Sequence, residues 1–166
     1  MRKLYLKQTI TQAQDKFTFY DDQQQKVYQG QQTSMSLPPR FGLVDCEKSQ
    51  QVVTLDGVIF SLMPEFKLID NSSNNEFCKI RKKFTMGKPK VIIKSVTNEY
   101  LIDGDFVARD FKILDDQQQI IIKIQPTHIA WGEVTEVEIN CDLIAEHIAA
   151  GMLVGIECAY YSDNKY

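Results

Sequence analysis

Histidine is scarce in this chain and its cysteines are scattered, so neither a metal site nor a histidine-based catalytic centre can be read from it. His128 and His147 are its two histidines, and Cys46, Cys78, Cys141 and Cys158 form no C-x-x-C pair, whereas zinc sites set Cys and His at short fixed spacings. No G-x-S-x-G elbow, glycine-rich phosphate loop or H-E-x-x-H run occurs, so no motif specifies a reaction. The expectation is a non-enzymatic protein without cofactor or metal. The opening MRKLYLKQTITQAQDK lacks the apolar core and small-residue cleavage site of a secretory signal. The longest strictly apolar stretch, Ile148 to Ile156, is nine residues, against the roughly 20 needed to span a bilayer. These absences point to a cytoplasmic protein with no transmembrane segment, its four cysteines reduced and buried as small hydrophobes.

What is present suits a folded chain. With 166 residues, 43% of them hydrophobic, 25% charged and a net charge of -3, one domain over residues 1–166 is expected, large enough to hold a core without staples. The strongest internal signal is a repeated phrase, Phe-x-apolar-apolar-Asp: FTFYD at Phe17, FGLVD at Phe41, FKLID at Phe66 and FKILD at Phe111. The starts are 24, 25 and 45 residues apart, which leaves room for a degenerate unit between the third and fourth. Each phrase runs into a polar turn and then a second apolar segment, the signature of a hairpin.

Reading strands between these turns gives about twelve, near residues 4–10, 17–21, 26–30, 41–45, 52–60, 66–70, 77–84, 90–94, 100–103, 106–114, 120–125 and 133–139. The connections are too short for parallel crossovers, so an antiparallel meander is expected over residues 1–140. After Asn140 the pattern changes. LIAEHIAAGMLVGIECAYY, from Leu143 to about Tyr161, reads as a helix capped by Asn140 or Asp142, with Leu143, Ile144, Ile148, Met152, Leu153 and Ile156 as core residues. Its middle is apolar all round, so it must be buried on every side. Gly151 and Gly155 form a small-xxx-small pair, read here as positions where surrounding side chains approach the helix closely. Twelve strands about 4.8 Å apart, tilted roughly 40°, close into a barrel of radius about 12 Å. Its lumen, about 14 Å across, fits a helix of diameter 10–12 Å at about the right size. The expected fold is therefore a closed antiparallel β-barrel enclosing one C-terminal helix at 141–161, and any ligand must use the outer surface or rim.

Several segments carry a family likeness: YLKQTITQAQDKFTFYDDQQQKVYQG, LMPEFKLID, IRKKFTMGKPKVII, LIDGDFVARDFKIL and the apolar helix after Asn140. Over nearly its whole length the chain resembles the LURP-one-related (LURF-one-related) proteins, in their bacterial YxjI-like branch, of the tubby-like superfamily that includes the phospholipid scramblases. The resemblance implies a twelve-stranded barrel around a central hydrophobic helix. It transfers no activity, because a shared fold carries unrelated functions. Tubby proteins bind phosphoinositide headgroups through basic residues, and no such motif can be matched here residue by residue. QPTHIAWGEV also departs from the family pattern, which more often reads Lys-Lys, an aromatic and Ser-Trp-Gly-Asp.

Charge is segregated. Lys79, Arg81, Lys82, Lys83, Lys88, Lys90 and Lys94 fall within 16 residues that contain no acid, leaving 12 basic against 22 acidic residues elsewhere. Alternation puts Lys79, Arg81 and Lys83 on one strand face, and Lys90 and Lys94 on a face of the next. With Lys88 in the intervening turn, these residues are the candidate site for an anionic phospholipid, a phosphoinositide or another phosphorylated ligand, and a lipid ligand would place the protein at the inner membrane face. The plain alternative is a solvated face balanced by acidic neighbours. Nucleic acid is a poor partner for an acidic chain without aromatics interleaved among its basic residues. Asp103, Asp105 and Asp110 could suggest calcium, but Asp-Gly is a common hairpin turn and the EF-hand order is absent. A protein-interaction or scaffolding domain without a small ligand is the competing function.

Overall fold

The computed structural model describes residues 1–10, 15–34, 38–58, 62–87, 90–130 and 132–161. Twelve strands are followed by one helix: β1 (Arg2–Ile10), β2 (Asp15–Tyr20), β3 (Lys26–Ser34), β4 (Arg40–Asp45), β5 (Gln50–Gly57), β6 (Glu65–Asp70), β7 (Asn75–Lys83), β8 (Lys90–Lys94), β9 (Glu99–Asp105), β10 (Asp110–Leu114), β11 (Ile120–Ile129), β12 (Gly132–Ile139) and α1 (Glu146–Tyr161). Each strand pairs antiparallel with its sequence neighbours, and β1 closes the ring on β12 from Arg2↔Ile139 to Leu6↔Thr135. Closure leaves no free sheet edge. The strand expected at 106–114 begins at Asp110, because Phe106 to Arg109 form a turn in which Asp105 Oδ1 accepts the Ala108 N–H at 3.0 Å. Of the strand expected at 52–60, residues 59–60 lie outside the described residues.

The repeat explains why the hairpins form. Its first residue, Phe17, Phe41, Phe66 or Phe111, and its third, Phe19, Leu43, Leu68 or Ile113, are all buried in the core. The terminal Asp then caps the turn. Asp21 Oδ1 accepts the Gln23 and Gln25 N–H groups, Asp45 Oδ1 those of Glu47 and Lys48, Asp70 Oδ1 that of Ser72, and Asp115 Oδ1 those of Gln117 and Gln119. Such local bonds are why Asp favours turns. The degenerate unit is Val91–Ser95, 25 residues after Phe66 and 20 before Phe111. There Ser95 replaces Asp, its Oγ accepting the Asn98 N–H at 2.8 Å and the Thr97 N–H at 3.3 Å. Even-numbered strands all run the same way, so these five turns gather at one end of the barrel.

The core helix enters from that end. Ile148 through Glu157 are buried without a break, as a helix apolar on every side requires. It starts later than the sequence suggested. Asn140 Oδ1 accepts the Asp142 N–H, and the Asn140 carbonyl accepts those of Leu143 and Ile144, so residues 141–144 make a turn that precedes the helix. Leu143 is consequently 42% exposed outside the barrel, whereas Ile144 is buried. The expectation of four buried thiols also needs correction: Cys78 is buried, Cys46 and Cys158 are partly so, and Cys141 is exposed in the same turn. Burial pushes the Cys78 thiol up to about 12.

Gly151 and Gly155 bring α1 against the wall. A Cβ at Gly151 would lie 2.8 Å from Val53 Cγ1 on β5, and one at Gly155 would meet Ile80 Cδ1 and Leu55 Cδ2. On the opposite face of the helix Leu153, Ile156 and Glu157 line a cavity of about 10 Å³ with Leu6, Phe111, Ile124 and Thr135, room for about one water.

Both helix ends are tied to the wall. At the start, Arg2 Nε donates to Glu146 Oε2 at 2.9 Å and His147 Nε2 lies 3.3 Å from Asp70 Oδ1. Burial alone would raise the Asp70 carboxyl, but hydrogen bonds from the Ser72 hydroxyl and N–H and from His147 outweigh it and hold the carboxyl below its ordinary value. At the far end, where α1 has no basic residue in its own last turn, the buried Lys82 of β7 donates to the Tyr160 carbonyl at 2.9 Å. A cation there suits the negative end of the helix dipole. Glu157 is less well served: Oε2 has no hydrogen-bond partner, and Arg109 Nη2, 3.6 Å away, donates instead to Gln8 Oε1 at 2.8 Å. Burial therefore raises the Glu157 carboxyl above its ordinary value, against the pull of Arg109.

Two stability measurements follow. Gly151→Ala gains about 1 kcal/mol of helix propensity but drives a methyl into the stiff Val53, and overpacking of this kind costs about 1–3 kcal/mol. Its thermal midpoint should fall, and fall further than for Gly155→Ala, whose obstacles are the movable ends of Ile80 and Leu55. Glu157→Gln should melt above the parent at neutral pH. Because the folded-state pKa of Glu157 is raised, its burial penalty is absent below the ordinary carboxyl pKa and grows as pH rises through the folded value. The gap between the two melting temperatures should accordingly close as pH is lowered towards the ordinary carboxyl value.

Candidate functional site

With α1 inside the barrel, the cavity beside it among the described residues is water-sized and too small for a ligand. The outer face is open to one. β7 and β8 pair in the register Lys79↔Lys94, Ile80↔Ile93, Arg81↔Ile92, Lys82↔Val91 and Lys83↔Lys90. Lys79, Arg81 and Lys83 are exposed on one strand and Lys90 and Lys94 on the other, while Ile80, Lys82 and Ile93 are buried on the inner side. The two basic faces are thus one surface, on which two lysine pairs stand directly opposite each other. Lys88 lies outside the described residues. Lys82, part of the same run in sequence, belongs to the helix end instead.

Register also adds a residue that sequence reasoning missed. Lys67 of β6 lies opposite Lys79 on one side and Asp56 of β5 on the other. A row of charges therefore crosses six strands: Arg40, Asp56, Lys67, Lys79, Lys94 and Glu99. The ends of the row are neutralised, Arg40 Nε by Asp56 Oδ1 at 2.5 Å and Lys94 Nζ by Glu99 Oε2 at 3.6 Å. Its middle is three lysines on adjacent strands. Lys67 occupies the outward second position of the repeat, which was its one signal in the sequence.

Elsewhere the outer face balances its charges more evenly. Lys3 sits 3.2 Å from Glu136, and in the row Lys3, Glu138, Lys123, Lys112, Asp103 the apposed Lys123 and Lys112 each have an acid on their other side. Like charges opposite one another destabilise a sheet. Among the described residues, Lys67, Lys79, Arg81, Lys83 and Lys90 make no ion pair within 4.0 Å, although Glu65 stands across from Arg81. Lys67 also borders an open cleft of about 560 Å³ with Arg40, Asp56, Pro38 and Pro39.

The two ends of the barrel differ as well. Turns and strand ends at the end where α1 enters hold Asp21, Asp22, Asp45, Glu47, Asp70, Glu99, Asp115, Asp116 and Asp142, against Arg2, Lys26, Lys48 and Lys94. The opposite end carries Lys83 and Lys90 at the base of the β7–β8 connection.

Other candidate chemistry finds structural partners. Asp103 stands across from Lys112 and Asp105 across from Asp110, with Gly104 between them at a φ of 124°, a backbone shape that favours glycine. Among the described residues no three His, Cys, Asp or Glu side chains gather as a metal set, and no helix is long and apolar enough to cross a membrane.

Three comparisons place the chain among known proteins. It is 25% identical over 139 residues to the uncharacterized protein YxjI of Bacillus subtilis strain 168, covering 84% of this chain and 82% of that one. The X-ray structure of an Arabidopsis thaliana protein superposes with a TM-score of 0.61 over 94% of this chain and 90% of its own, at 12% identity, a likeness of fold alone. The family model described as LURP-one-related matches residues 2–154. A match of that extent, on a closed twelve-stranded barrel wrapped around one helix, makes this chain a member of the LURP-one-related family.

Proposed function

We propose that the protein is a non-enzymatic binding module whose basic outer face, Lys67, Lys79, Arg81, Lys83, Lys90 and Lys94, engages the phosphate groups of an anionic ligand, an anionic phospholipid or phosphoinositide headgroup in particular. The observation that carries this reading is the register that sets Lys79 between Lys67 and Lys94 and pairs Lys83 with Lys90. Apposed lysines cost stability in the free protein, and a bound phosphate would offset that cost through charge-assisted hydrogen bonds. A lipid ligand would place the protein peripherally on a membrane surface rich in anionic lipid. The competing function, a protein-interaction or scaffolding domain without a small ligand, predicts no preference for phosphate.

Sedimentation with anionic and with neutral vesicles separates the two. The chain should pellet with the anionic ones alone, less so as salt rises, and Arg81→Glu with Lys83→Glu should abolish the effect. Equal binding by parent and variant, or none by either, contradicts the reading. Lys79→Glu supplies an independent signature, since it turns two like-charge neighbours into opposite-charge pairs. It should weaken binding while raising stability by about 0.5 kcal/mol, seen as a higher thermal midpoint; a variant that lost both would point to a purely structural lysine.

A further inference from the structure

The rim opposite the acidic turns carries apolar side chains pointed at solvent. Leu62 in the β5–β6 connection and Met86 in the β7–β8 connection are fully exposed, and Phe84 and Val107, the latter in the β9–β10 turn, are about two-thirds exposed, at 64% and 65%. Single exposed hydrophobics are ordinary on protein surfaces. These four, however, occupy three consecutive connections of the same rim. Two of the connections are laced together, for the Lys82 N–H at the end of β7 donates to the Pro64 carbonyl of the β5–β6 connection at 3.0 Å.

Charge completes the arrangement. Lys83 and Lys90, opposite each other in register, stand at the two feet of the connection that holds the exposed Met86. At the other rim Met1, Val96 and Leu143 are exposed as well, but they stand among turns that contain Asp70, Asp115, Asp116 and Asp142. An anionic surface repels that end more than this one, where Lys83, Lys90 and Arg109 stand beside Glu65, Asp105 and Asp110. Apolar tips with cations one step behind them match the layering of a bilayer, in which phosphates lie outside the acyl region and a peripheral element sinks its apolar face by about 5–10 Å.

We infer that the protein docks end-on to an anionic lipid surface. Leu62, Phe84 and Met86 enter the boundary between headgroups and acyl chains, Lys83 and Lys90 contact lipid phosphates, and the acidic rim faces away. The inference rests on the basic-face reading but goes beyond it, since it fixes which end of the barrel meets the membrane and requires apolar insertion, which a soluble phosphate ligand does not.

The test uses the full chain, vesicles of phosphatidylcholine with and without about a third phosphatidylserine, and inositol hexakisphosphate as a soluble probe of the basic face. Variants are Leu62→Ser with Met86→Ser, Val96→Ser as the control at the other rim, and Lys83→Glu. All the substituted side chains are exposed, so the serine variants should keep the parent's thermal midpoint, Lys83→Glu should raise it slightly by relieving the Lys83–Lys90 pair, and a folding defect is detected directly as a fall. The double variant should lose about tenfold or more in affinity for anionic vesicles, equivalent to about 1.4 kcal/mol, and bind inositol hexakisphosphate as the parent does. Val96→Ser should bind vesicles normally, and Lys83→Glu should weaken both ligands. A double variant with parental vesicle affinity overturns end-on insertion while leaving the basic face standing. A parent that binds the soluble polyphosphate but no vesicles overturns the membrane as partner, and one that binds neither overturns both readings.

Discussion

A twelve-stranded barrel is too wide for its own inward side chains to fill, and that constraint governs the rest of the structure. The chain meets it with α1, ten consecutive residues of which, Ile148 to Glu157, are buried. Other features follow from seating the helix there. Gly151 and Gly155 let it close on Val53, Leu55 and Ile80, and what space remains lies on its far side against Leu6, Phe111 and Ile124. Its exposed-end chemistry has to come from the wall: Arg2 and Asp70 for the first turn, Lys82 for the last carbonyls. Among the described residues, Glu157 is the one whose buried side-chain oxygen this arrangement leaves without a hydrogen bond.

Much of this was legible in the sequence because it is written locally. The repeat Phe-x-apolar-apolar-Asp contains both the inward face and the turn cap of a strand, so four hairpins could be read from it and the fifth, Val91–Ser95, could be anticipated from spacing. The helix was visible because no strand pattern survives after Asn140. Its start was misplaced for an equally local reason, since Asn140 resembles a helix cap and instead closes a turn that leaves Leu143 outside. The cysteine reading failed at Cys141 because that same turn is exposed.

The candidate site was only half legible. Alternation alone placed Lys79, Arg81 and Lys83 on one face and implied that Lys82 pointed elsewhere, but not that it would cap the helix. Whether two faces on different strands meet depends on register, and no single segment encodes it. Lys67, isolated among apolar residues in sequence, joins the patch through its pairing with Lys79 alone. Charge segregation along the chain becomes segregation in space by a related route. The Asp that ends each repeat is needed for the turn, and because alternate strands run in the same direction those carboxylates collect at one end. Folding chemistry thus leaves the opposite end and the β6–β8 face as the regions able to approach an anion.

The barrel depends on α1 as its core. Native-state hydrogen exchange tests it most directly, because it resolves whether an element opens alone or with the whole molecule. The amides of Ile148 to Ile156 should exchange as slowly as the best-protected strand amides, through global unfolding and with its full denaturant dependence. Helix amides that exchange through a smaller opening, while the strands of the barrel remain protected, would contradict it.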